Sequence, residues 1–256
     1  MRNYSKLIGA LAAVSALAAG NASAIDLSYN LHAGYTNQYI FRGIDLGNDL
    51  VEAGFDVSAD VTESTNISAG VWYANFDTAP NIPELEANTN EIDFYAKVAQ
   101  DLGFATASVG YIYYYNDNSN DLRDYIGGHL GDAQEISFGL SREFYGVNVS
   151  LTYYWDIVSD NDGYTELAVG KSWELNSCLT LNVGSALGYA QEEGHLSHWT
   201  TKVSLDYEFV ENAKFSPFVA GTLDLSSGHF DDAITTSTAP HTKNEFVGGA
   251  MISVGF

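Results

Sequence analysis

Segments of about ten residues in which apolar and polar side chains alternate recur along this 256-residue chain. A period of two belongs to a strand with one face against an apolar medium and the other against a polar one. The first segment carries Leu27, Tyr29, Leu31, Ala33 and Tyr35. The last carries Phe246, Gly248, Ala250, Ile252, Val254 and the terminal Phe256. Ten others are read between them, among them Ala53 to Val61, Ile67 to Tyr73, Ala105 to Tyr113 and Val147 to Trp155. Ten residues is about what a tilted strand needs to cross bilayer hydrocarbon.

The connections alternate as well. Short ones lie at Thr62 to Asn66, Asp101 to Gly103, Glu143 to Gly146, Glu174 to Ser177 and Glu211 to Lys214. Longer ones are expected at Gly43 to Val51, Asp77 to Thr89, Asn116 to Asp132, Gln191 to Ser197 and Ser226 to Lys243, with Ser159 to Gly163 a short exception. Aromatic residues gather at both ends of the segments. Tyr35, Tyr73, Tyr113, Tyr153, Trp155 and Trp199 fall on the long-loop side; Phe104, Phe144, Tyr145, Trp173, Phe209 and Phe256 fall on the other. Amphipathic rings favour the headgroup level of a membrane, and a soluble sandwich gives no reason for two such belts. The outward parity carries almost no charge; Lys171 is the exception read there, close to a turn and to Trp173, where it can snorkel.

These patterns predict an all-β fold: a transmembrane antiparallel up-and-down β-barrel of about 12 strands covering residues 25–256. Residues 1–24 read as a cleaved signal peptide. Arg2 and Lys6 precede an apolar run from Leu7 to Ala19, and Ala22-Ser23-Ala24 is a small-x-small cleavage site. That run is too short for a spanning helix. Together the two ends of the chain predict the outer membrane of a Gram-negative cell, with both termini periplasmic.

A formal charge of −23, from 10 basic and 33 acidic residues, excludes a nucleic-acid partner, because a phosphate backbone selects Lys and Arg. The lone Cys178 excludes an intrachain disulfide and reads as a small filler near a turn.

The segment Tyr39-Ile40-Phe41-Arg42-Gly43-Ile44 resembles the signature of the TorF-type porin family, in which the first strand ends in an aromatic-x-Phe-Arg-Gly motif. Gly54-Phe55-Asp56, Gly70-Val71-Trp72 with Asn75, Glu91-Ile92-Asp93-Phe94-Tyr95 and Gly110-Tyr111-Ile112-Tyr113-Tyr114 follow in the family's order. Ala74 departs from an expected Ser. The resemblance covers roughly the first half of the mature chain. It implies a porin-like barrel and names no substrate.

The inward parity is polar and small. Asp56, Asp93, Glu135, Asp156, Glu166, Asp224 and Glu245 are its candidate pore-lining acids, set against Lys97 and Lys202. An excess of carboxylates favours cations. The expected function is passive diffusion of small hydrophilic solutes, with a cation preference. The alternative is a barrel plugged by its own paired side chains, serving a structural or adhesive role. Arg42 is expected either to face the upper lumen, with Asp45 as one candidate partner, or to pin a loop to a carboxylate of the wall.

An enzyme is disfavoured. His195-Leu196-Ser197 has the His-x-Ser spacing of outer-membrane phospholipases and lipid A deacylases, but His198-Trp199 follows where those phospholipases have Asn-Gly. Asp160-Asn161-Asp162-Gly163 has part of a calcium-loop pattern without its distant Glu and reads as a turn. No catalytic residue, metal or cofactor is therefore expected. The expected partners are outer-membrane lipid, small hydrophilic solutes and, through the C-terminal strand, the barrel-assembly machinery. The sequence sets no oligomeric state.

Overall fold

The computed structural model describes residues 26–78, 88–117, 133–158, 162–226 and 244–256. The expected signal peptide and cleavage site lie outside the described residues. So do the middles of three expected loops, at 79–87, 118–132 and 227–243, and residues Asp160 and Asn161 of the calcium-like turn.

Twelve strands make up the fold: β1 (Leu27–Phe41), β2 (Ile44–Thr62), β3 (Thr65–Thr78), β4 (Asn88–Asp101), β5 (Thr106–Asp117), β6 (Ala133–Phe144), β7 (Val147–Asp156), β8 (Tyr164–Asn176), β9 (Leu179–Ala190), β10 (His195–Val210), β11 (Ala213–Asp224) and β12 (Glu245–Gly255). Each pairs antiparallel with its sequence neighbours, and β1 pairs with β12, so the sheet closes into a barrel. Closure leaves the wall without a free edge from Asn30 to Thr36 of β1, as a spanning sheet requires.

The alternation read from the sequence is the alternation of faces. Leu31, Val51, Val109, Leu151, Leu167, Val203, Val219 and Ile252 all point outward and are exposed. In a soluble chain this apolar jacket would be a liability; in a bilayer it is the solvated surface. Lys171 lies with its ammonium 5.6 Å from the Trp173 ring. A second outer-face charge was not foreseen: Arg142 shares the parity of exposed Phe138, Leu140 and Phe144. It too sits beside a turn, its guanidinium 4.6 Å from the Phe144 ring.

Closure is fastened at the chain's end. Tyr29 N–H donates to the Phe256 carbonyl at 2.8 Å, and Phe256 N–H returns the bond at 3.0 Å. Their rings stack at 5.4 Å.

Two expectations about connections fail. The long loop at Gly43 to Val51 does not exist: Phe41 pairs with Ile44 across a two-residue turn, and β2 starts at once. Arg42 and Gly43 both have positive φ, 51° and 86°, the requirement of a tight hairpin turn whose twist matches its strands. His195-Leu196-Ser197, expected in a loop, opens β10, because the preceding connection is only the turn 191–194.

Candidate functional site

The first hairpin does not stay in the barrel wall. β1 pairs with β12 only as far as Thr36, opposite Gly249, while it continues with β2 to Phe41. At the same level β2 carries an irregularity against β3 between Asn48 and Val51, and Asp49 there has φ 52°. An irregularity of this kind bends a strand and raises its twist. Where β1 departs, the Asn37 side chain accepts a hydrogen bond from Gly248 N–H at 2.7 Å, in place of a backbone partner. Tyr35 O–H donates to Asp49 and ties the bend to the wall.

The bend sends the hairpin inward over an apolar cluster. Leu50, Ala74 and Phe76 are buried there, with Tyr39, Leu46 and Trp72 packed against them. Tyr39 meets Phe76 edge-on at 5.0 Å and Trp72 at 5.8 Å. Gly47 is needed at this crossing, since a Cβ would lie 2.2 Å from the Asp77 carbonyl oxygen. This cluster is a bulky apolar exception in an interior expected to be polar and small with little apolar filler, and its residues brace the hairpin.

The hairpin tip reaches the far wall. In a ring of twelve strands, β6, β7 and β8 stand opposite β1 and β2. Arg42 meets Glu135 of β6 there through two hydrogen bonds, Nη1–Oε1 at 2.6 Å and Nη2–Oε2 at 2.8 Å. The two side chains are 18% and 8% exposed. The guanidinium carbon also lies 4.8 Å from the ring of Phe41, 4.6 Å from Tyr154 of β7 and 4.4 Å from Tyr164 of β8. Tyr114 of β5 donates to Glu135 at 3.0 Å and packs edge-on against Phe41. Tyr164 stacks on His198 of β10, with 1° between the ring planes, and donates to Glu166 at 3.2 Å. A Cβ on Gly43 would meet the His198 Cβ at 2.6 Å, so the turn lies flat against that wall. Of the two expectations for Arg42, the contact formed is with a wall carboxylate 93 residues away; Asp45 accepts instead from Gly47 N–H at 3.1 Å.

The other candidate lining residues are distributed along the inner wall. Asp56 accepts from Tyr95 and from Asn30, and lies 3.6 Å from His32. Asp93 is buried, as is Asp156, which stands directly opposite Glu135 across β6 and β7 and accepts from Val158 N–H. Asp224 accepts from Ser226 N–H, and Glu245 from the Gln38 amide at 3.2 Å. Lys97 is exposed. Lys202 lies 3.9 Å from the Phe218 ring and lines a cavity of about 300 Å3 in the turn-side half, with His32, Asp206, Lys214 and several serines. Arg42 and Glu135 are thus brought together, Asp156 and Glu166 stand close by, and Lys97 and Lys202 lie on other strands, Lys202 at the turn-side cavity.

The Ser197 hydroxyl lies 3.0 Å from Nδ1 of His198, its immediate neighbour, and Nδ1 of His195 lies 3.0 Å from the Leu196 carbonyl oxygen. His198 in turn is part of the surface against which the hairpin rests. Among the described residues no group of three or more His, Cys, Asp or Glu side chains is arranged to hold a metal ion.

Sequence reading missed Tyr154, Tyr164 and His198 as parts of one site. Their signal was present: Tyr154 falls between the outward-parity Tyr153 and Trp155, and Tyr164 has the parity of Glu166, so two bulky rings point into an otherwise polar interior.

Solved structures share the fold at very low identity. The KdgM porin is 9% identical, with a TM-score of 0.50 over 90% of this chain and 99% of that one. An outer membrane channel from Pseudomonas putida F1 is 8% identical, with a TM-score of 0.57 over 92% and 97%. The chain therefore shares the closed-barrel fold of these outer-membrane proteins. No curated protein matches the sequence. A family model does, over residues 18–229, and the chain belongs to that family, described as a bacterial protein of unknown function (Gcw_chp).

Proposed function

We propose that this chain is a porin-like channel of the Gram-negative outer membrane, in line with its TorF-type resemblance. Small hydrophilic solutes cross it by passive diffusion, with a preference for cations. The observation that carries the reading is a closed barrel whose outer face is apolar and whose inner wall is lined with carboxylates. Glu52, Glu91, Asp93, Glu135, Asp156, Glu166 and Glu245 face inward in the loop-side half, where the hairpin narrows the route. Low-dielectric walls focus the field of such a set.

Reversal potentials of the refolded protein in a planar bilayer under a salt gradient test this. Cation preference at 0.1 M should fade towards 1 M as the Debye length falls from about 10 Å to about 3 Å. Replacing Asp156 and Glu166 with Asn and Gln should lower it as well. Anion preference in the unaltered protein would overturn the charge argument.

A second reading has its own support. The hairpin that crosses the mouth is held by a bidentate ion pair, so a plugged barrel with structural or adhesive duties fits the same contacts. Absence of any conductance would favour it.

The signal peptide, periplasmic termini and recognition by the barrel-assembly machinery belong to this proposal. Phe256 ends the closing strand, so Phe256→Ala should lower assembly in cells far more than it alters the properties of the assembled fraction. Surface proteolysis of intact cells should cut within 118–132 or 227–243; cuts confined to the short turns would reverse the topology.

A further inference from the structure

We propose that the seat of Arg42 is a binding site for guanidinium-bearing solutes, and that Arg42 is its built-in competitor. The seat is shaped for a flat, forked cation. Glu135 offers both carboxylate oxygens, at 2.6 and 2.8 Å, and the rings of Tyr154 and Tyr164 lie 4.6 and 4.4 Å from the guanidinium carbon. Bidentate pairing with stacking on rings is guanidinium recognition; an ammonium is a point charge that fits only the carboxylate.

The wall part of this seat is independent of the hairpin. Glu135 is held by Tyr114 of the neighbouring strand, and Tyr164 is held by His198 behind it and Glu166 beside it. Asp156 directly opposite Glu135, with Glu166 on the next strand, places further carboxylates beside the seat. The occupant, by contrast, is on a lever. Above Thr36, β1 has lost β12, and above Gly47, β2 has lost β3, so the backbone of the tip pairs only within its own two strands and side chains alone hold it to the wall. A side chain tethered this way competes at an effective concentration in the millimolar range. A solute therefore needs roughly millimolar levels to displace it, and less when Arg42 is removed. Displacement frees the hairpin from the far wall. This deepens the proposed function, since it rests on solutes entering the lumen and names one class of them.

The test uses the full mature chain refolded in detergent, with ethylguanidinium as the probe and ethylammonium and urea at equal concentration as controls. In Arg42→Ala the probe should raise the heat-unfolding midpoint by about 3–6 °C at ten times its Kd, growing with the logarithm of its concentration above that. The controls should not do so, and adding Glu135→Gln should abolish the rise. Should Arg42→Ala not refold, Arg42→Lys, which keeps the charge and loses the fork, replaces it. In the unaltered protein, millimolar probe should accelerate hydrogen exchange across residues 37–47. No probe-specific rise in the variant, or an equal rise without Glu135, overturns the site. Unchanged exchange in the unaltered protein overturns the competition. Neither readout needs ion current, so a barrel that does not conduct would defeat the channel reading and leave this one standing.

Discussion

Two hairpins of this barrel have nearly the same turn and opposite fates. Phe41-Arg42-Gly43-Ile44 joins β1 to β2, and Phe144-Tyr145-Gly146-Val147 joins β6 to β7. Both are two-residue turns with positive φ at each central residue: 51° and 86° in the first, 50° and 74° in the second. In both an arginine lies over the aromatic that opens the turn. Yet Tyr145 is 98% exposed at the rim, whereas Arg42 crosses the lumen to a buried carboxylate. Turn chemistry is local and sets only how tightly the chain reverses. The destination is set by what happens several residues earlier, where β1 leaves β12 and Asp49 kinks β2.

The widest gap between the two hairpins should appear on removing their arginines. Arg42→Ala leaves Glu135 buried without its cation, a loss of about 3–5 kcal/mol. Arg142→Ala removes an exposed side chain beside a turn and should cost no more than about 0.5 kcal/mol. Heat-unfolding midpoints in detergent compare them; equal shifts would mean that the lumen contact contributes nothing to stability.

A smaller difference should separate the glycines. Alanine at either position incurs about 1–2 kcal/mol of left-handed backbone strain. At Gly43 the new methyl also meets His198, whereas at Gly146 the nearest atom is the Lys171 Nζ at 4.0 Å. Gly43→Ala should therefore be worse by about 1–3 kcal/mol, the usual penalty of overpacking. Gly43→Ala in a His198→Gly background, which removes the Cβ at 2.6 Å, should recover most of that difference, measured against His198→Gly alone, and failure to do so would place the tip elsewhere.

The smallest effect should come from Tyr145→Ala, within about 0.5 kcal/mol in detergent, because the ring touches little protein. A large loss there would show that the outer hairpin is also docked on something.

Much of this molecule was legible before its structure. Strand number, the lipid and lumen faces and the aromatic rims rest on a period of two, which any stretch of ten residues displays. The short-turn ends were readable for the same reason. The supposed loop from Gly43 to Val51 was misread because its polar and glycine residues imitate a loop, while from Ile44 onward the chain pairs with β1, and at Gly47 and Asn48 with β3 as well: Asn48 faces Gln38 of β1 and Asp77 of β3. The bulky inward residues Trp72, Tyr154 and Tyr164 were the available hint that something occupies the upper lumen.

The sequence by itself determined a closed, twelve-stranded wall with an apolar outside and a carboxylate-rich inside, because those properties follow from which neighbours along one strand are apolar. Only the tertiary structure decided where the first hairpin goes and which residues receive it. Arg42 comes from the first turn, and Tyr114, Glu135, Tyr154, Tyr164 and His198 come from five different strands; closing the ring is what sets β6 to β8 across from β1 and β2. Contacts across a lumen obey no sequence period, since the separation of partners depends on every strand and loop between them. An ion pair 93 residues apart is fixed by that geometry and by the free energy of taking a guanidinium and a carboxylate out of water together.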